Sequence, residues 1–287
     1  MKIFARISLI FLSFVLIFPY TASKADSMDL NMVFVPASEK GDDQDYVNLI
    51  KIIGDLTGIK ITPIRVTDYN AAVEAVRANR AQIAWYGGKT YIQAVEIADV
   101  EAFAAGVRKG DSDASYFAYF VVPSDSELMT LKDVKGTKLA LNSIGSTSGD
   151  LIPQVELMKA GLSVKNKDDF ERVFYAGSHD ACLMAAINKH VDVCGMSSRN
   201  FDARVADGTL DPSQVRIIHR STPVPPPPLA YSKKLPLEIR NKIKTATLEA
   251  HKYGRIGGYG GEMSHYIEIT DSDYDLLREV DKLLNSQ

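Results

Sequence analysis

The sequence predicts an α/β protein of two lobes, and three observations carry that reading. From Leu30 onward, short β-branched or aromatic runs alternate with amphipathic stretches of about 10–14 residues. The alternation starts afresh after Val122, giving two series of similar make-up. A Pro-rich stretch at residues 222–229, "TPVPPPPL", then leads back with no helical signal. Strands separated by helices of this length indicate parallel βαβ units.

The first 25 residues stand outside this pattern. Lys2 and Arg6 precede the apolar run "ISLIFLSFVLIF", and "SKA" ends the segment with small residues at the two positions a signal peptidase reads. This is the pattern of a secretory leader cleaved after Ala25. The run is shorter than the roughly 20 residues a spanning helix needs. The mature protein is therefore expected to be exported. Cleavage would remove Lys2, Arg6 and Lys24 but no acid, leaving 30 basic against 36 acidic residues and a net charge of about −6. A general nucleic-acid surface wants the opposite balance.

In the first series, residues 30–36 read as a strand and 45–58 as an amphipathic helix stopped by Gly58. Strand 59–66, helix 69–80, strand 81–87 and helix 89–99 follow, then two apolar runs at 101–108 and 115–123. The second series has a short helix at 130–136, strand 137–143, helix 151–161, strand 170–177, helix 179–190, strand 191–197, helix 200–208 and strand 214–221. Two helical patterns, 237–254 and 271–287, end the chain. The lobes are expected at 26–122 with 229–287, and at 123–228, with crossings near 122–125 and 222–229.

Ligands of such sheets sit at the carboxyl ends of the strands, where helix N-termini point. Those ends carry Asp68 and Tyr69, then Tyr86-Gly87-Gly88, then residues 145–149, then Ser178 and His179. Ser146, Thr147 and Ser148 stand between two glycines just ahead of a helix. Capping needs one such hydroxyl and three are present, which favours an oxyanion site. Asp150 complicates this, because an acid in the first turn repels an anion. Lys89 reads as a solvated helix residue and Trp85 as core. Cys182 and Cys194 are either a disulfide or two buried thiols, and the residues leave both open. Neither a metal nor a cofactor is expected.

"DYNAAVEAVRANRAQIAWYGGK", "STSG", "AGSHDACLMAAINKHVDV" and the Pro-rich crossing resemble, in order and spacing, the phosphonate-binding (PhnD-type) periplasmic proteins of ABC importers. The resemblance covers nearly all of the mature chain. It implies a type II periplasmic-binding fold that closes on a phosphonate, phosphite or related phosphorus oxyanion. It further implies a monomer that binds no nucleic acid, delivers its ligand to an inner-membrane permease and catalyses nothing. Carried over position by position, it assigns the oxyanion to Tyr69, Tyr86, Ser146, Thr147, Ser148 and His179. At the distal end of the ligand, where aminoethylphosphonate binders of the family use two carboxylates, the alignment puts Arg199 and Pro227. Arg199 then either turns to solvent, pairs with an acid such as Asp202, or meets a second anionic group on the ligand. Glu39, Asp42 and Asp43 are the other acids within reach of an ammonium. Two other classes compete: a sensing subunit that presents the same closed form to a receptor, and a secreted hydrolase built on His179 and Asp180. No G-x-S-x-G elbow or metal motif supports the hydrolase.

Overall fold

The computed structural model describes residues 28–37 and 43–286, with the backbone alone for 43–45. The leader, its cleavage site, Glu39 and Asp42 lie outside the described residues, as does the side chain of Asp43. Each strand and helix pattern finds its counterpart. The first lobe opens with β1 (Asp29–Phe34), α1 (Asp43–Thr57), β2 (Lys60–Arg65), α2 (Tyr69–Arg77), β3 (Ile83–Trp85), α3 (Gly88–Ala98) and β4 (Val100–Arg108). Then come β5 (Ala118–Pro123), β6 (Lys138–Leu141), α4 (Ile152–Lys159), β7 (Arg172–Tyr175), α5 (His179–Ile187), β8 (Val193–Ser197), α6 (Ser198–Ala206) and β9 (Val215–Arg220). The chain ends with β10 (Pro228–Ser232), α7 (Leu237–Glu249), β11 (Ile256–Gly258), β12 (Gly261–Glu268) and α8 (Asp275–Asn285).

Two sheets result. A seven-stranded sheet runs β11-β12-β4-β10-β3-β1-β2 and a five-stranded sheet runs β7-β6-β8-β5-β9. The strands β1, β2 and β3 pair in parallel, as do β6, β7 and β8. These are the βαβ units the alternation predicts. The remaining strands are antiparallel: β10 between β3 and β4, β12 against β4, and β5 between β8 and β9.

One expectation needs correction. The expected boundary at 122 puts most of the run at 115–123 in the first lobe, yet its strand β5 hydrogen-bonds to β8 and β9 of the five-stranded sheet. Its apolar residues alternate between that sheet's two faces, Tyr119 and Val121 on one and Phe120 and Val122 on the other. The first crossing is therefore residues 109–117, ahead of the expected 122–125. The return crossing covers 221–227, because Pro228 and Leu229 already belong to β10. The hairpin β11–β12 fills residues 256–268, between the two C-terminal helical patterns, where the sequence shows no strand pattern. The two crossings lie side by side: Val224 N–H donates to Tyr116 O at 2.8 Å and Tyr116 N–H to Val224 O at 3.2 Å.

Local chemistry fixes the helix starts that matter for the site. Asp68 caps α2, accepting from Ala71 N at 2.8 Å, and Ser178 caps α5, accepting from Ala181 N at 3.0 Å. Each cap thus places the next residue, Tyr69 or His179, at the first helical position. Cys182 and Cys194 form a disulfide, tying α5 to β8.

Candidate oxyanion site between the two sheets

The strand and helix ends of both sheets meet in one buried cluster of polar side chains. Ser146 precedes a single π-helical turn, Thr147–Leu151, that leads into α4. Its hydroxyl accepts from Gly149 N at 3.1 Å and from Asn142 Nδ2 at 3.2 Å. A side chain at Gly149 would put its Cβ 2.3 Å from the Asn142 Cβ and 2.9 Å from the His179 ring. Only glycine lets the three groups converge. Thr147 Oγ1 accepts from Lys89 N at the start of α3, 2.9 Å away and in the other lobe. Its proton is left free to donate. The Ser148 hydroxyl is buried and has no hydrogen-bond partner among the described residues. One hydroxyl therefore caps, one bridges the sheets and one is unengaged.

His179 is fully buried, and its hydrogen bonds define its tautomer. Nδ1 accepts from Ser197 N–H at 3.2 Å, so the ring's proton resides on Nε2. Nε2 lies 2.8 Å from the Tyr259 hydroxyl and 3.0 Å from the Asn142 side-chain amide. Burial lowers the His179 pKa to about 3, the neighbouring Asp180 opposing only in part. The imidazole is a neutral donor with its N–H turned into the cluster.

Three tyrosines surround this point, and a fourth, Tyr86, follows the end of β3. Tyr69 approaches Asn142 Nδ2 at 3.5 Å and lies beside Ser146 and Tyr259. Tyr116, on the first crossing, sits against Ser148 and Thr147, and Tyr259 sits against Ser148 and Ser197. The Tyr86 hydroxyl is buried without a partner among the described residues. Tyr86 makes no hydrogen bond to the rest of the set; only its neighbour Gly87 approaches Thr147. Desolvation raises the pKa of all four phenols, so they are donors at any physiological pH. Ser197 holds the N-cap position of α6 but makes no capping bond, and its hydroxyl is buried and unpartnered among the described residues.

Charge enters the site sparingly. Asp150 is almost completely buried, yet it is neutralised by Lys89 Nζ at 2.6 Å. Tyr175 Oη at 2.8 Å and Gly145 N at 3.2 Å also donate to it. Lys89 is thus no solvated helix residue, and Asp150 presents no bare charge to an anion. Arg199 is buried too, and neither turns to solvent nor pairs with Asp202. It donates to Ala114 O at 2.6 Å, Gly106 O at 3.1 Å and Tyr259 O at 3.5 Å. Asp202 pairs with Arg108 at 3.1 Å. Pro227 is buried, and its carbonyl accepts from Trp85 Nε1 at 3.3 Å. The predicted residues Tyr69, Ser146, Thr147, Ser148 and His179 thus converge, joined by Asn142, Tyr116, Ser197 and Tyr259.

Two sheets, two crossings and polar strand ends buried between them make this a type II periplasmic binding protein. The chain belongs to the family described as "ABC transporter, phosphonate, periplasmic substrate-binding protein", whose pattern it matches over residues 32–274. Among curated relatives, the Phosphonates-binding periplasmic protein of Escherichia coli (strain K12) is 29% identical over 191 residues, 65% of this chain and 55% of that protein. The Phosphate-import protein PhnD of Mycolicibacterium smegmatis is 26% identical over 278 residues, 90% of this chain and 86% of that one. Among solved structures, a binding protein component of an ABC phosphonate transporter from Pseudomonas aeruginosa superposes with TM-score 0.78 at 21% identity, covering 91% of this chain and 87% of that one. PhnD1 from Prochlorococcus marinus in complex with methylphosphonate gives TM-score 0.77 at 20% identity, covering 91% of this chain and 100% of that one.

Proposed function

We propose that this chain captures a phosphonate or related phosphorus oxyanion between its two sheets and presents it, as a periplasmic monomer, to an ABC permease. The observation that carries the reading is the set of neutral donors turned inward: His179 Nε2–H, the phenols, and the unengaged hydroxyls of Ser148 and Ser197. Unpaired buried hydroxyls are costly to keep, and oxygens of a tetrahedral anion satisfy several at once. Neutral donors bind such an anion without a buried formal charge at each contact. Membership in the family and the methylphosphonate complex of the Prochlorococcus protein support the ligand class. The ligand contacts we assign are Tyr69, Tyr86, Ser146, Thr147, Ser148 and His179, with Asn142 orienting Ser146.

Capture proceeds by closure. The crossings at 109–117 and 221–227 form the hinge, and the contacts of Lys89 with Thr147 and Asp150 seal the cleft. Cleavage after Ala25 would accompany export. Turnover is not part of the reading: Asp180, next to His179 on α5, engages Arg204 at the other end of its side chain rather than the imidazole Nδ1, which Ser197 occupies. Calorimetry on refolded, ligand-free protein tests the proposal with phosphate, phosphite and methylphosphonate. Saturable 1:1 binding of at least one supports it; no heat with any of them refutes it. At 100 times its dissociation constant, a true ligand stabilises the folded state by about 2.7 kcal/mol.

A further inference from the structure

We propose that the turn Tyr259–Gly260 is the wall that limits the size of the ligand's organic substituent, with Arg199 as the residue that positions it. The turn joins β11 to β12 within the sequence Gly257-Gly258-Tyr259-Gly260-Gly261. Gly258 and Gly260 are demanded by contact, one on each side. A Cβ at Gly258 would stand 2.6 Å from the Trp85 ring, and one at Gly260, where φ is +85°, 2.5 Å from the Arg199 Cβ. The backbone of the turn is therefore wedged between the core of one lobe and the first turn of α6 in the other. The steric bulk of all five residues is gathered in a single ring.

That ring faces the oxyanion site. Tyr259 is buried, its hydroxyl 2.8 Å from His179 Nε2 and close to Ser148 and Ser197. Its ring lies edge-on to Tyr116 at 6.0 Å and to His179 at 6.3 Å. A ligand whose oxygens meet His179 and Ser148 thus has Tyr259 directly beside it. Arg199 fixes the wall from behind. Its guanidinium holds the Tyr259 carbonyl together with those of Gly106 and Ala114, and no carboxylate among the described residues pairs with it. Arg199 therefore acts through the turn.

The inference rests on the capture of a phosphorus oxyanion, and the test separates the two. Calorimetry compares methyl-, ethyl- and n-propylphosphonate, which carry the same charge and differ only in length. In the unaltered protein each added methylene lowers affinity by about tenfold or more, the discrimination a tight pocket achieves per methylene. Tyr259→Ala should cut the methyl-to-propyl ratio by about tenfold or more, and Tyr259→Phe, which keeps the ring, should leave the ratio unchanged. Arg199→Met should shift the ratio the same way as Tyr259→Ala by a smaller factor. Circular dichroism checks folding, and Tyr259→Leu replaces the alanine variant if that one unfolds. A folded Tyr259→Ala or Tyr259→Leu protein that keeps the original ratio overturns the wall while leaving capture intact. An unaltered protein that binds none of the three overturns the wall, and one that binds neither these nor phosphate nor phosphite overturns capture as well.

Discussion

Acidification should destabilise this protein through one histidine, by an amount that can be isolated. His179 is held neutral by burial, and Ser197 N–H points at Nδ1, so a second ring proton has nowhere to go. Its pKa is 6.5 in the unfolded chain and about 3 in the folded one. A histidine with a lowered folded pKa takes up its proton on unfolding, so stability is complete above pH 6.5 and falls as pH drops toward 3. At 1.36 kcal/mol per pH unit the full loss is about 5 kcal/mol, of which about 3 kcal/mol falls between pH 7 and pH 4. Carboxylates titrate in the same range, and their contribution cancels in a comparison with His179→Gln. Urea unfolding followed by circular dichroism, at half-unit steps from pH 7 to pH 4, gives both curves. The variant loses hydrogen bonds, which offsets its curve by a constant. The expected result is a gap between the two curves that narrows by about 3 kcal/mol on going to pH 4. A gap constant to within about 0.5 kcal/mol would mean that His179 is already protonated, or solvated, in the folded protein.

Three further outcomes are expected. Thr147→Ala should weaken phosphonate binding by about tenfold or more in calorimetry, since a hydrogen bond to a charged group contributes about 1.5–3 kcal/mol; a change in melting temperature alone would leave Thr147 with a purely structural role. Lys89→Met should lower affinity by a similar factor, because Asp150 loses its cation but keeps Tyr175 and Gly145 as donors, and should raise the ligand concentration at which small-angle scattering shows compaction. Unaltered scattering profiles with saturating ligand would contradict the hinge. Aminoethylphosphonate should not be the tightest ligand, because the family resemblance aligns Arg199, a buried cation, with a position where aminoethylphosphonate binders use an acid; tighter binding of it than of both methylphosphonate and phosphonoacetate would sink that argument.

What was legible in the sequence followed from local rules. Parallel strands deliver their last residues to one edge, and caps such as Asp68 and Ser178 mark where the next helix starts, so Tyr69, the hydroxyl run and His179 could be placed from their neighbours alone. Asn142 and Ser197 obey the same rule at the ends of β6 and β8, so a stricter use of it would have found them. Tyr116 and Tyr259 lie beyond its reach. The first sits on a crossing, and the second on a glycine-rich hairpin whose composition carries little strand propensity. Its position depends on β12 pairing with β4, more than 150 residues earlier in the chain. The membership of β5 was missed for the same reason, since its partners β8 and β9 are chosen by antiparallel pairing far along the sequence. Lys89 reads as solvated, and Arg199 as turned to solvent or paired with Asp202, because a charged residue on a helix looks solvated until the opposing lobe is known.

The bonded pair of crossings has a mechanical consequence. Two free tethers between two bodies permit bending, twisting and sliding alike. Here Tyr116 and Val224 exchange both backbone hydrogen bonds, and Ser221 N–H adds a third to Ala118 O at 2.9 Å, so the tethers form one short ribbon. A two-stranded ribbon is stiff within its plane and compliant across it. Sliding one lobe past the other would shear those bonds, whereas bending across the ribbon keeps them. For the closure proposed above, the ribbon thus opposes sliding of the lobes and leaves bending and twisting as the soft motions of the joint. In that closure the residues farthest from the ribbon travel furthest, so the mouth of the cleft lies on the side away from the crossings.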